Sequence, residues 1–510
     1  MDYFLLFVLL LATLLLLGVF LFPKYMTWRT NLPPGPPVLP FIGNLHQLDS
    51  SPLYHQLWKL SQRYGPLMSL RLGFTPMLVV SSSKMAKQVL KTHDAEFASR
   101  PPFLSFKKLS YNGLGVGFAP YNDSWREMRK ICILHLFSPK RVQSFRPIRE
   151  NEVSKLIKKI GRYASDSKSV NLSEMLILFS NTMISRIAFG RSYDEESSER
   201  SMFENLLSDS QAVSANFFFS DYFPCLSWVD RLTGELTRLE KTFEALDSFF
   251  QGMVDEHKSS SDEEKRSTKL GQEDFIDVLL QLQKDGSSTI NLTFDHIKAV
   301  LKDIFTAGTD TSAATLVWAM TELVKNPNTM EKAQQEIRNI AGNNGSTIHE
   351  NDLQESRYLQ AVIKETMRLH PPAPLLIPHE TTQKCNIFEY EIPPKTVVHV
   401  NAWAIGRDPD SWENPDKFLP DRFIGNSIDF RGRDFELIPF GAGRRGCPGL
   451  NMGVATVEFA LANLLYWFNW ELPDGMKKED IDTDVKPGIT MHKKNPLCLM
   501  PRKWSGNLDE

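Results

Sequence analysis

Between Tyr3 and Phe22 the chain carries no charged side chain and consists mostly of Leu, Phe and Val. Twenty helical residues reach about 30 Å, one hydrocarbon core, so the pattern predicts a single N-terminal transmembrane helix over residues 1–22. A cleaved signal peptide would carry Lys or Arg ahead of the run and small residues behind it. Here only Met1 and Asp2 precede the run, and Pro23-Lys24 follow it. Lys24 and Arg29 place positive charge just past the span, which assigns the rest of the chain to the cytoplasmic side. The segment Asn31-Leu32-Pro33-Pro34-Gly35-Pro36-Pro37 reads as a stiff extended arm within a proline-rich hinge over 23–44.

From residue 45 the spacing of apolar positions changes. Short runs at Leu67–Leu72 and 77–81, around Gly73 and Pro76, predict a β-hairpin, and 396–400 a further strand. Helical spacing predicts helices over 51–64, 84–91, 125–137, 149–163, 172–188, 232–257, 294–325, 329–340, 359–369 and 450–468. The Ser- and charge-rich stretch 258–272 reads as a surface loop. No internal repeat is visible. The expected architecture is one mainly α catalytic domain over 45–510, with small β-sheet regions.

Composition adds little beyond exclusions. At 510 residues, 42% hydrophobic and 23% charged, the chain has an ordinary globular balance. A net charge of −3 offers no basic excess for nucleic acid. Five Cys at 132, 225, 385, 447 and 498 share no C-x-x-C spacing, which excludes a disulfide framework and suits a reducing compartment. The four N-x-[ST] sequons at Asn122, Asn171, Asn291 and Asn344 are expected to be unused on the cytoplasmic side.

The chemistry concentrates in Phe440-Gly441-Ala442-Gly443-Arg444-Arg445-Gly446-Cys447-Pro448-Gly449. Four glycines and a proline in ten residues make a tight loop with an exposed backbone. An apolar helix begins directly after it, so Cys447 lies at a helix amino end beside two arginines, a setting that favours thiolate. A lone thiolate in apolar surroundings suits a soft or redox metal. The same stretch contains G-x-G-x-x-G, but the helix after it leads into Phe468-Asn469-Trp470 and not into a second parallel strand. No acidic residue follows at the required place, so the dinucleotide-binding context is missing.

Phe440, Gly443, Arg445, Cys447 and Gly449 fit F-x-x-G-x-R-x-C-x-G, and here the chain resembles the cytochrome P450 family, whose haem iron is held by a Cys thiolate. The resemblance extends over essentially the whole chain and is closest to plant microsomal members. It implies the cytochrome P450 fold and haem b with Cys447 as the metal ligand. It further implies that Trp125, Arg129 and Arg445 meet a haem propionate, with Phe440 in the same loop. The family carries Arg in a P-R dipeptide after its E-x-x-R helix. This chain has Pro378-His379, so His379 stands where another propionate contact is expected. Glu365 and Arg368 supply E-x-x-R; with Arg422 of Pro420-Asp421-Arg422-Phe423 they are implied to form a buried charged cluster. Asp421 replaces the family's usual Glu.

Asp310 and Thr311, within Ala307-Gly308-Thr309-Asp310-Thr311-Ser312 of the 294–325 helix, resemble the family's acid–alcohol pair, which guides protons to dioxygen. Phe103, Phe217, Ala307, Leu375 and Met491 fall in segments that resemble the family's variable substrate regions. Together these features imply a monooxygenase of the endoplasmic reticulum membrane with a cytosolic catalytic domain. It would use O2 and electrons from NADPH–cytochrome P450 reductase, in contact with membrane lipid, on a lipophilic small molecule such as a plant specialised metabolite. Two other readings are a reductase-independent haem-thiolate isomerase or dehydratase and a non-catalytic haem carrier or sensor; Asp310-Thr311 speaks against both.

Overall fold

The computed structural model describes Thr13 and residues 31–191, 198–259, 273–286, 288–342 and 348–504. The run proposed to cross the membrane lies outside them apart from Thr13, as does most of the 258–272 loop. Among the described residues no helix is long and apolar enough to cross a membrane.

The body is mainly helical. In chain order its principal helices are α1 (Leu53–Tyr64), α2 (Leu104–Leu109), α3 (Asp123–Ile131), α4 (Arg146–Ser165), α5 (Leu172–Phe189), α6 (Ser198–Ser214), α7 (Glu235–Ser259), α8 (Phe275–Asp285), α9 (Phe294–Lys325), α10 (Pro327–Ala341), α11 (Arg357–Leu369) and α12 (Leu450–Trp467). Side-chain caps start several of them, as orphan N–H groups at helix ends require. Asn122 accepts from the Trp125 N–H at 2.8 Å and Asn171 from the Glu174 N–H at 3.2 Å. Thr293 caps α9 in a reciprocal arrangement with His296. Two sequon asparagines, and the threonine of a third sequon, therefore begin helices.

The central element is α9, 32 residues long and buried on nearly every side, which is why its sequence shows no clean polar stripe. Its widest contact is with α5. At Gly308 the two helices come close, since a methyl group there would stand 2.7 Å from Ile184 Cδ1. Four strands form the main sheet in the order β1 (Leu67–Leu72), β2 (Thr75–Val80), β7 (Val397–Val400), β4 (His379–Glu380), with only β2–β7 parallel. Strands β5 (Cys385–Ile387) and β6 (Tyr390–Ile392) pair as a hairpin. Strand β8 (Phe468–Glu471), directly after α12, pairs antiparallel with β9 (Cys498–Lys503), which also pairs with β3 (Val170–Asn171). The glycine loop thus has a helix after it but no parallel strand, and the dinucleotide reading fails in structure as it does in sequence.

From Pro33 the proline arm lies against β1. Ser69 donates from its N–H to Pro34 O at 2.9 Å and from its hydroxyl to Pro33 O at 2.6 Å. The Asn44 side chain bridges Pro37 O and the Arg71 N–H.

Candidate active site

The glycine loop is folded by its own backbone. The Cys447 N–H donates to Phe440 O at 2.9 Å and the Gly446 N–H to Gly443 O at 3.1 Å. Gly443 adopts φ +67, and a Cβ there would meet Leu90 O at 2.3 Å, so no other residue fits. Phe440 shapes this turn through its carbonyl, while its ring packs on Phe430. Cys447 precedes α12 by three residues and its side chain remains accessible although the chain surrounds it, so it faces an interior space.

The two arginines beside Cys447 are not what its sulfur senses. Arg444 turns outward to Asp94 at 2.8 Å. Arg445 turns inward and donates to Ala98 O at 2.6 Å, Ala119 O at 2.7 Å and Val116 O at 3.3 Å. Burial pushes the Cys447 thiol up, and the Gly449 N–H and the more distant charge of Arg129 only partly oppose it. The expected thiolate therefore does not follow from the protein alone; coordination to a metal cation would expel the proton.

Arg445 belongs to a cluster that the motif reading only partly found. Its guanidinium stacks 3.9 Å from the centre of the Trp125 ring, and Arg129 lies 5.7 Å from the same ring. The Trp125 indole N–H is committed to Val116 O at 3.0 Å, so Trp125 serves the site through its ring face. Arg129 donates to Gly446 O at 2.7 Å. The third cation is Arg100, which donates to Gly117 O, Ile377 O and Pro378 O at 3.2, 2.6 and 2.9 Å. Burial first, and mutual repulsion second, holds Arg100 down to about 9 and Arg445 to about 8. No carboxylate among the described residues forms an ion pair with Arg100, Arg129 or Arg445. A guanidinium keeps its proton in proteins, so this buried positive cluster calls for an anion. Arg100 was legible only as a lone Arg before Pro101-Pro102; the fold, not a motif, brings it here.

His379, whose role the sequence leaves open, is buried on β4, and its Nδ1 lies 2.7 Å from Phe97 O. Burial, and then the charge of Arg100, holds it well below the usual imidazole range. Both favour the neutral ring, and the carbonyl partner favours a proton on Nδ1. Nε2 is then a bare acceptor that cannot donate to a carboxylate. Arg100 places a cation close enough to His379 to act on its ring.

His399 on β7 is likewise held down to about 4 by burial. Both histidines take up protons on unfolding more readily than in the fold, so stability rises with pH below the unfolded value of about 6.5. Acidification from pH 6.5 toward 4 is expected to cost about 3 kcal/mol through His399 alone. Urea midpoints measured over that window check this, and a His399→Gln, His379→Gln double variant should show a flatter fall.

The middle of α9 opens a groove. Ala307 is exposed in mid-helix, and Gly308 and Thr311 are partly so, while the turns on either side are buried. The Thr311 hydroxyl donates to Ala307 O at 2.8 Å. Asp310 is buried and its carboxylate is paired with His492, a residue the motif reading passed over.

Beneath, Glu365 and Arg368 are both fully buried and joined by two bonds of 2.7 and 2.8 Å. Glu365 also accepts from Arg422 Nε at 3.1 Å and the Leu419 N–H at 2.7 Å. Arg368 spends its remaining donors on Gly406 O, Pro415 O and Lys417 O. Every member is satisfied, the condition under which a buried ionic cluster is tolerated. Asp421 lies on the surface, paired with Lys332.

Three of the five candidate pocket residues, Phe103, Phe217 and Leu375, gather around Tyr222. Leu375 and Phe103 are partly buried, the latter 5.8 Å from the Tyr222 ring. Phe217 is 40% exposed and stacks on Tyr222 at 4.8 Å. Met491 is buried with its backbone bonded to Pro372 and the Trp318 indole. Ala307 lies on α9 itself, and Met491 is tied to that helix through Trp318.

The family model described as Cytochrome P450 matches residues 33–500. The chain is 49% identical to cytochrome P450 71A1 of Persea americana, covering 90% of this chain and 91% of that one. It is also 49% identical to 6,7,8-trihydroxycoumarin synthase of Pastinaca sativa (93% and 94% covered) and 47% identical to strychnine-11-hydroxylase of Strychnos nux-vomica (94% and 92%). A zebrafish cytochrome P450 solved with progesterone superposes with a TM-score of 0.73 at 25% identity, covering 88% of this chain and 99% of that one. A cysteine loop opening on an interior space, a long helix with a groove at its middle and a cluster of guanidiniums awaiting an anion are accounted for together: the chain belongs to the cytochrome P450 family of haem-thiolate monooxygenases.

Proposed function

We propose that this monooxygenase uses NADPH-derived electrons from NADPH–cytochrome P450 reductase to oxidise a lipophilic plant specialised metabolite. The overall balance is substrate, O2, NADPH and H+ giving oxygenated substrate, water and NADP+. The observation that carries the reading is the guanidinium cluster beside the Cys447 loop. Haem b offers both an iron for the sulfur and two carboxylates for the cations, so the residues present fit it. When bound, the haem supplies the activation of dioxygen. Cys447 would hold the iron, and Arg100, Arg129 and Arg445 the propionates. Asp310 and Thr311 hold and move protons at the α9 groove. By their names, one relative makes 6,7,8-trihydroxycoumarin and another hydroxylates strychnine, which favours a ring-fused, largely apolar substrate.

A face of the molecule supports membrane attachment. Val38, Leu39, Phe41 and Ile42 of the arm are exposed, and Phe41 meets Phe74 edge-on at 6.4 Å. The Phe74 N–H donates to Tyr222 O, which joins this patch to the segment carrying exposed Trp228 and Leu232. An apolar surface of this kind, just after the uncharged run 3–22, suits a lipid-facing side. The proposed location is the endoplasmic reticulum membrane, with the body in the cytosol and domain limits of 1–22, 23–44 and 45–510.

Two measurements test the site. Arg100→Gln should speed haem loss to an acceptor protein, whereas His379→Gln should not; the reverse order would restore His379 as the propionate partner. Thr311→Ala keeps the helix and removes the hydroxyl, so NADPH should still be consumed with more peroxide and less product. Unchanged coupling would show that water alone carries the protons.

A further inference from the structure

We propose that His492 supplies protons to Asp310 from the solvent side, acting as a positioning and proton-feeding residue behind the α9 relay. The inference rests on the reading of Asp310 and Thr311 as that relay.

His492 Nε2 meets Asp310 Oδ1 although 182 residues separate the two in sequence. The contact bridges two environments. The Asp310 side chain is 9% exposed within the core helix, and that of His492 is 21% exposed. His492 sits on the loop 482–496, where Thr483, Asp484, Lys486, Pro487, Gly488, Lys494, Asn495 and Pro496 are all exposed. Its Nδ1 has no hydrogen-bond partner among the described residues and is not sealed off. A proton from solvent hydronium can therefore enter at Nδ1 as one leaves Nε2 for Oδ1, and tautomeric exchange through solvent then returns the neutral ring's proton to Nε2, with no change in electron count.

The loop is built to hold this ring in place. The Met491 N–H donates to Pro372 O at 2.8 Å, and the Trp318 indole donates to Met491 O at 2.7 Å. The Lys486 N–H donates to His492 O at 2.9 Å, and the Lys494 N–H to Asp484 O at 2.7 Å. Lys493, next in sequence, is buried and donates to Asp482. The neighbours of His492 are thus pinned on both sides, and its ring is left to face α9. Since proton transfer needs a donor within hydrogen-bond reach in a fixed geometry, this arrangement meets the requirement.

The test compares His492→Gln, His492→Ala and Asp310→Asn holoenzymes with reductase and a turned-over substrate. Gln keeps a donor to Asp310 but cannot shuttle a proton. Both His492 variants should lose product per NADPH several-fold, with peroxide taking up the difference. A Gln variant that couples like wild type would reduce His492 to holding Asp310 in place and overturn the proposal. If Asp310→Asn uncouples and neither His492 variant does, the proton feed fails while the relay stands. If Asp310→Asn couples normally, the relay reading fails and the feed with it. A measurement without turnover runs alongside: deuterium uptake at the C2 carbon of the His492 ring, followed by mass spectrometry. Uptake is expected, at a rate altered by Asp310→Asn. A ring that takes up no deuterium in the folded protein has no access to solvent and cannot feed protons.

Discussion

Arg368→Ala is expected to leave little folded holoprotein. The substitution removes both bonds to Glu365 and leaves the carbonyls of Gly406, Pro415 and Lys417 without their donor. Losing one partner of a buried ion pair costs roughly 3–5 kcal/mol, because the other charge stays buried. Against a typical total of about 5–15 kcal/mol, that is a large share. Arg422 and the Leu419 N–H would still reach Glu365, so the carboxylate keeps part of its shell. Glu365→Ala should be at least as damaging, since it leaves two guanidiniums facing each other. Asp421→Ala provides the contrast within the same motif. Its pair with Lys332 is more than half exposed on both sides, and such pairs contribute about 0–1 kcal/mol. Urea unfolding of the three variants checks the order; an Asp421→Ala variant as unstable as Arg368→Ala would mean that the cluster is not what holds this region.

Much of this was legible in the sequence because it depended on local pattern. The long helix was read at its observed bounds, Phe294–Lys325, because apolar residues recur at helical spacing all the way from Thr293 to Asn326 with no Pro between them. The β1–β2 hairpin followed from alternation around Gly73. The helices at 84–91 and 125–137 each proved to be an α segment that widens into a π turn, at Gln88–Thr92 and Cys132–Leu136, which apolar spacing does not distinguish. Helices α2, α6 and α8 and the β8–β9 pairing were not read. Helices α2 and α8 are short, α6 is rich in Ser and acidic residues, and the pairing joins strands about 30 residues apart.

In the site, motif residues were legible and their partners were not. Cys447, Glu365 and Arg368 stand in spacings that local chemistry explains. Arg100 and His492 stand in no such spacing. Each acquires meaning only when the chain brings it to Arg445 or Asp310, more than 180 positions away. His379 stood open in the sequence, and its burial beside Phe97, Arg100 and Arg445 favours the uncharged ring.

The spectrum of the reduced carbonyl complex before and after Cys447→Ser bears most directly on the claim that this fold holds a haem-thiolate centre. Cys447 faces the interior space from a loop turned at Gly441 and Gly443, both of which adopt positive φ. Its thiol is raised by burial and needs a metal cation to lose its proton. A serine hydroxyl is harder and ionises far less readily, so it cannot take the place of a soft thiolate donor. The wild-type protein should show the thiolate-type carbonyl spectrum and turn over a lipophilic substrate with NADPH and reductase, and Cys447→Ser should lose both. A Cys447→Ser protein that kept the thiolate-type spectrum and its turnover would contradict the assignment.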